Sequence, residues 1–353
     1  MIAFLRLFLY TQLIAFAAAA DILISENTVS YSLQSPTNIG SVTVKSSFFW
    51  SLTNVYSITV KGILSVEDGA SFFFTSGSEK NSVSFTMDHL NSKFINNGIV
   101  SFDSTVSNPI SNYKISPPTF ENNGKLFLAT SKGSLQPVTK LESAVATNDG
   151  LISVYTPSTS ANQGKLEVGV HSKTMSNTGN ICVYNQYLSQ NGLFEGNGCI
   201  TLFEKSKVHF RTRYASNQIV VFGDGTGILH SEDTTDASWK VYNFGKGNII
   251  ELHLGLDQFS YDANTGFLMV RYLSYEKFFD IGFGYNPDLF QKADALGSKY
   301  GVTYNGDIPS SANTGNPCGV KCEKQPTQQA PGAHATTYTI TVVKTTDGTT
   351  TTV

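Results

Sequence analysis

Six histidines, four cysteines and a thin scatter of carboxylates are the residues of this chain that could do chemistry. Glycoside hydrolysis normally uses two carboxylates facing one bond. Here the acids of the strand-like stretches stand singly, as Glu121, Glu142, Glu167, Glu195 and Glu204. Glu67 and Asp68 are adjacent, which on a strand turns their side chains to opposite faces. The histidines are His89, His171, His209, His230, His253 and His334, with neither H-x-H nor H-E-x-x-H spacing, so their local spacing supports no zinc site. "GDGTG" at 223–227 could hold a cation and "SEDTTD" at 231–236 could bind calcium, but the first reads more simply as a turn and the second as a solvated loop. There is no G-x-S-x-G and no phosphate-binding loop. The expectation is therefore no catalytic residue, no cofactor-binding residue and no metal ligand.

Aromatic rings are the other surface candidates. Phe48-Phe49-Trp50 and Phe72-Phe73-Phe74 put rings on both faces of a strand, so one ring of each could face outward and stack on a sugar. The alternative, preferred here, is that they seal the open end of the array against solvent. Ligand-binding residues stay unknown on this reading.

The elements that would position these groups announce themselves as a repeat. "FINNGIVSF" at 94–102 is echoed by "FENNGKLFL" at 120–128. Eight glycines, Gly40, Gly62, Gly98, Gly124, Gly150, Gly164, Gly179 and Gly198, each precede apolar residues at the second and fourth positions after them. Examples are Leu126/Leu128, Ile152/Val154, Leu166/Val168 and Ile181/Val183. Alternation of this kind gives a strand with one buried face and one wet face, so Ser153 and Glu167 should point outward. Asn, Asp or Gln often precedes the glycine, as at a corner that uses positive φ. The glycine spacings are 22, 36, 26, 26, 14, 15 and 19 residues, and periods of this size indicate a solenoid or array. The 14 and 15 together make one coil carrying two such strands. A parallel β-helix over 21–207 follows; an antiparallel sandwich with glycine-led hairpins would also alternate but leaves the repeated spacing unexplained.

After Lys207 the register stops. Longer alternations follow: Ile250, Leu252, Leu254 and Leu256 share a face, with Glu251 and His253 on the other. "DANTG" at 262–266 reads as a hairpin turn. A small antiparallel β-sandwich is expected over 208–307, with one short helix in 287–297. The fold class is thus all-β.

The ends set the context. Residues 1–20 read as a secretory signal peptide cut before Asp21, with a membrane anchor as the alternative. Charged residues are 14%, below the ~25% of ordinary domains, and the net charge of −3 points to neither nucleic acid nor an anionic membrane. Residues 308–335 read as a Pro/Gln/Ala-rich linker and 336–353 as the start of a Thr-rich, O-glycosylated stalk. There is no N-x-[ST] sequon. Four cysteines in an exported chain imply disulfides, with three possible connectivities. The shared pattern Asn-x-Cys at Asn180 and Asn197 and the one-coil separation favour Cys182–Cys199, with Cys318–Cys322 as the second bridge. "YTITVV" at 338–343 has the profile of a segment that pairs between chains, so lateral self-association through the tail is an expectation, beside that of a plain spacer.

The stretches "NTGNICVYNQYLSQNGLFEGNGCI" (177–200), "FGKGNIIELHLGLDQFSYDANTGFLMV" (244–270) and "FDIGFGYNPDLF" (279–290) resemble the N-terminal domain of the fungal hyphally regulated cell wall proteins of Candida-type yeasts. The resemblance runs over about 21–322 and implies a β-helix packed on a small β-sandwich, shown at the wall on a glycosylated stalk. It implies a non-enzymatic, adhesin-like or structural wall protein, with wall polysaccharide or a host or abiotic surface as partner. The family normally ends in a lipid-anchor signal; no hydrophobic tail follows Thr352–Val353 here, so truncation or another mode of retention is left open. The second function kept open is a secreted polysaccharide-active β-helix enzyme.

Overall fold

A computed structural model describes residues 19–31, 37–160, 162–211, 217–224, 227–232, 238–253, 255–295, 298–326 and 329–331, with the strand backbones 343–346 and 349–352. The chain is all-β. Among the described residues, most strands form two long sheets of 19 and 13 strands, paired in parallel along most of their length. In the regular part each turn of the chain gives two strands to the larger sheet and one to the smaller. One turn runs Ser111–Ile115 and Thr119–Asn122, then Lys125–Ala129; the next runs Val138–Leu141 and Val145–Asn148, then Leu151–Tyr155. Each strand pairs with its counterpart one turn on, without a register shift.

That register stacks like on like. Val100, Leu126, Ile152, Ile181 and Ile200 are successive partners in the smaller sheet, as are Phe102, Leu128, Val154, Val183 and Leu202. All ten are fully buried in one continuous core with Leu166 and Val168, so the expected core face holds. Ser153 and Glu167 do point away from that core. Glu167 stays partly exposed and paired to lysines, whereas Ser153 is only 1% exposed because the C-terminal segment lies over it.

The corner has a division of labour. Asn96, Asn122, Asn148 and Asn177 are strand partners and fully buried. The amide of Asn96 donates to Asn122, Asn122 to Asn148 and Asn148 to Asn177, each at 2.7 Å, and Asn177 donates to Gln218. Buried amides are thus satisfied by their own copies one turn away, which removes the cost of desolvating them. The second asparagine faces solvent, where Asn123 donates to Asn97 at 2.8 Å. The glycine is needed for a different reason than expected: Gly98, Gly124, Gly150 and Gly179 are not among the positive-φ residues. A Cβ on Gly124 would sit 2.1 Å from the carbonyl oxygen of Gly98, and one on Gly150 2.0 Å from that of Gly124. Close approach of stacked backbones, not a left-handed turn, selects glycine. Gly124→Ala is expected to destabilise by roughly 1–3 kcal/mol through overpacking; an unchanged urea midpoint would contradict the close approach.

The parallel register does not stop at Lys207. Lys207–Phe210, Ile228–Ser231 and Ile249–Leu252 continue the larger sheet in parallel, and Ile219–Phe222 and Trp239–Tyr242 continue the smaller one. The turns there are shorter and drop the corner asparagine and its glycine, which is why the repeat fades from the sequence while the geometry persists. On the smaller sheet Tyr275–Asp280 still joins Trp239–Tyr242 in parallel, and antiparallel pairing begins with Tyr275–Asp280 against Phe267–Tyr272 and Phe267–Tyr272 against Gln258–Asp262; on the larger sheet it begins at Ser298–Tyr304 and Phe290–Ala295. Asp262 caps the expected hairpin turn, accepting from Asn264 N–H and Thr265 Oγ1, both at 2.9 Å. The expected helix in 287–297 is a single 3-10 turn, Pro287–Leu289, followed by a strand. Phe290 is buried in the main core against Tyr285 and Tyr304, and pairing of its strand with Ser298–Tyr304 overrides the local helical pattern.

Candidate functional site

The expected disulfides are replaced by two others. Cys182 is joined to Cys322 and Cys199 to Cys318. Cys182 and Thr201 are cross-strand partners on the outer face of the smaller sheet, and Cys199 sits at the start of its strand. The two cysteines of the smaller sheet are therefore offset by two positions, and each instead meets a cysteine of the C-terminal segment. In its described residues, 308–326 and 329–331, the segment read as a linker is a strap. Asn243 and Gly315 bond each other near the last parallel turn. Asn180 Nδ2 donates to Val320 O at 2.9 Å, Lys125 pairs with Glu323 at 2.7 Å, and Lys324 lies 4.2 Å over the Tyr155 ring. Ser51 Oγ finally donates to Pro331 O at 2.7 Å, beside the first turns. Under the strap Phe127, Leu151, Cys182 and Tyr184 form a second small core with Val320 and Cys322.

The aromatic runs are mostly interior, with Phe49 left partly exposed. Trp50, Phe72, Phe73 and Phe74 are buried, and Phe48 packs against the main core. Trp50 stacks on Phe72 with ring centroids 5.4 Å apart, and Phe72 meets Phe102 edge-on at 6.0 Å. Trp50, Phe72 and Val100 are successive strand partners in the first turns of the smaller sheet. The carboxylates of the parallel turns are largely neutralised by lysines one turn away: Lys45–Glu67 at 2.6 Å, Lys93–Glu121 at 2.8 Å and Lys140–Glu167 at 2.8 Å. The lysine and Ser46 hold Glu67 below the usual carboxylate range, and Glu167 also lies below it, burial being outweighed by Lys140 and Lys165.

One group of titratable residues does converge. His209, His230 and Glu251 are successive partners in the larger sheet, and Val208, Leu229 and Ile250 before them face the core. Alternation therefore stacks the three polar side chains on the outer face. Glu232 follows His230 by two residues and His253 follows Glu251 by two, so these two also lie one turn apart in the chain. His209, His230, Glu232 and His253 bring ligand-type atoms within 4.8 Å of one another. His253 Nδ1 lies 3.1 Å from Glu232 Oε1. His209 Nε2 lies 2.7 Å from the same oxygen without the alignment of a hydrogen bond, and His230 Nε2 has no hydrogen-bond partner. Behind them, Tyr187 OH contacts His209 Nδ1, and Glu251 lies 2.5 Å from His230 Nδ1 and also pairs with Lys207. Burial, with the nearby His230, Arg211, Lys207 and His253, lowers the His209 pKa to about 3, so this imidazole is neutral. Burial raises the Glu251 pKa, but His230 and Lys207 outweigh it and hold the group below the ordinary carboxylate range.

The expectation of no metal ligand rested on short-range spacing. The histidines are 21 and 23 residues apart, one turn each, so a local motif does not contain them. The available signal was "KVHF", "ILHS" and "IIELH" read as rungs of one ladder, with Glu251 in register with His209 and His230, and His253 two residues further on. Of the other acids, Asp224 of "GDGTG" accepts from Glu204 N–H at 2.6 Å, and residues 225–226 and 233–236 lie outside the described residues. His334 and most of "YTITVV" lie outside them too.

Comparison with known proteins places this architecture. Residues 10–329 match the family described as hyphally regulated cell wall protein, N-terminal. The chain belongs to this family. It is similar to cell wall protein IFF9 of Candida albicans, with 32% identity over 329 residues, covering 87% of this chain and 34% of that protein. Hyphally regulated cell wall protein 3 of the same species is 33% identical over 327 residues, covering 87% and 26%. Hyphally regulated cell wall protein 1 is 30% identical over 284 residues, covering 77% and 30%. The chain thus spans about a third or less of the length of these curated relatives of the family. Among the described residues no helix is long and apolar enough to cross a membrane.

Proposed function

We propose that this chain is the folded, non-enzymatic head of a fungal cell-wall surface protein, contributing to adhesion or to the outer wall layer. The observation that carries the reading is the family match across nearly the whole fold, to relatives that are cell wall proteins. The parallel turns are read as a β-helix, and the antiparallel strands of 258–304 as a small sandwich-like cap that covers its last open edge. The lysine-neutralised carboxylates support a non-catalytic surface, because a general acid for glycoside cleavage needs a raised pKa rather than a lowered one. Export by an N-terminal signal and O-glycosylation of the Thr-rich tail belong to the same reading. With Pro331 beside Ser51, a stalk that follows would hold the first turns toward the wall and present the capped end outward.

The test is direct. The exported chain should bind fungal or host cells, or an abiotic surface, above a denatured control, and should release no reducing sugar from wall polysaccharides. Release of oligosaccharides, abolished by mutating one carboxylate, would replace this reading with a polysaccharide-active enzyme.

A further inference from the structure

We propose that His209, His230, His253 and Glu232 form a binding site for one divalent transition-metal ion of zinc type on the outer face of the larger sheet. Three imidazoles and one carboxylate are the donor set of a tetrahedral N3O site, which zinc accepts without geometric strain. The four donors come from three successive turns, and their ligand atoms already lie within 4.8 Å of one another. Two of them are buried with a ring nitrogen facing the group. His209 and His230 are 7% and 8% exposed, and neither Nε2 has a hydrogen-bond partner. Buried ring nitrogens are seldom left so, because the desolvation goes uncompensated. The opposite nitrogens are both held from behind, His209 Nδ1 by Tyr187 OH and His230 Nδ1 by the Glu251 carboxylate. A hydrogen-bonded far nitrogen fixes ring and tautomer, which is how metal-ligating histidines are normally oriented. Glu251 is in turn held by Lys207, so the support behind the donors is itself tied down.

The rings need little movement. His209 and His230 are edge to face with centroids 4.2 Å apart, and His253 lies 5.5 Å from His230. The side chain of His253 is 53% exposed and that of Glu232 is 25% exposed, so these two form the solvent side through which an ion enters. With four protein donors the site is closed and its role structural: the ion cross-links the last three parallel turns of the larger sheet. That is where the sheet changes to antiparallel pairing, between Ile249–Leu252 and Ser298–Tyr304.

The experiment uses the untagged exported chain, stripped with EDTA and titrated with ZnCl2 by calorimetry, with metal content after gel filtration as a second readout. One equivalent of zinc should bind and raise Tm. Co2+ should give the visible absorption of a tetrahedral site. Tyr187→Phe should weaken zinc about 10–100-fold, and His253→Asn, at an exposed position, should weaken it further without changing the fold of the apo chain. His171→Asn, remote from the group, should bind like the unaltered chain. Failure of the unaltered chain to retain stoichiometric zinc, or equal binding by His253→Asn, overturns the proposal. None of these outcomes depends on adhesion.

Discussion

Replacing Cys182, Cys199, Cys318 and Cys322 together with alanine is expected to release the strap and cost about 8 kcal/mol by loop-closure entropy. The bridges span 140 and 119 residues of sequence. The first to close removes about 5 kcal/mol from the unfolded ensemble; the second then closes a ring of only roughly two dozen residues and adds about 3. A variant lacking one bridge should therefore lose about 3 kcal/mol, well under half of the fourfold loss. Release also uncovers Phe127, Leu151 and Tyr184, which are buried beneath Val320 and Cys322. The measurements are the urea midpoint and the rate of tryptic cleavage at Lys321 and Lys324. Cleavage of the fourfold variant no faster than that of the oxidised chain would mean that the polar contacts alone hold the strap. Non-reducing peptide maps should show Cys182–Cys322 and Cys199–Cys318.

Glu251→Ala is expected to cost about 3–5 kcal/mol in EDTA-treated protein, because it leaves Lys207 buried without its carboxylate. Their side chains are 9% and 3% exposed and form a direct ion pair. Glu251 also holds His230, so the substitution frees a second buried group. The pair itself need not be net stabilising: Lys207→Met with Glu251→Leu, filling similar volume with apolar atoms, should recover most of the loss. Denaturant unfolding of the two variants decides it. A small loss for Glu251→Ala, under about 1 kcal/mol, would show the lysine reaching solvent instead, as an exposed pair would.

Legibility in the sequence followed the range of the interactions. Strand alternation is a local property, so the buried faces of Leu126/Leu128, Ile152/Val154 and Ile181/Val183 could be read from five residues each, and the structure buries all of them. The repeat was legible for the same reason as far as the corner Asn-Gly persisted, and was lost after Lys207 when shorter turns no longer needed it, although parallel pairing runs on to Leu252. The reason for the glycines was misread: positive φ is the local explanation, while the backbone of the neighbouring turn is the actual one. The helix expected at 287–297 failed because core burial of Phe290 and antiparallel pairing of its strand outweigh local propensity.

By itself, then, the sequence determined the all-β class, the core face of the regular turns and the family, since these rest on short patterns repeated many times. Only the tertiary structure decided which cysteines meet, where the Pro-rich segment goes and which histidines converge. A parallel stack brings residues one turn apart to strand-pairing distance, and a strap folded back over it joins residues more than a hundred positions apart. Neither juxtaposition leaves a mark within any single stretch of chain.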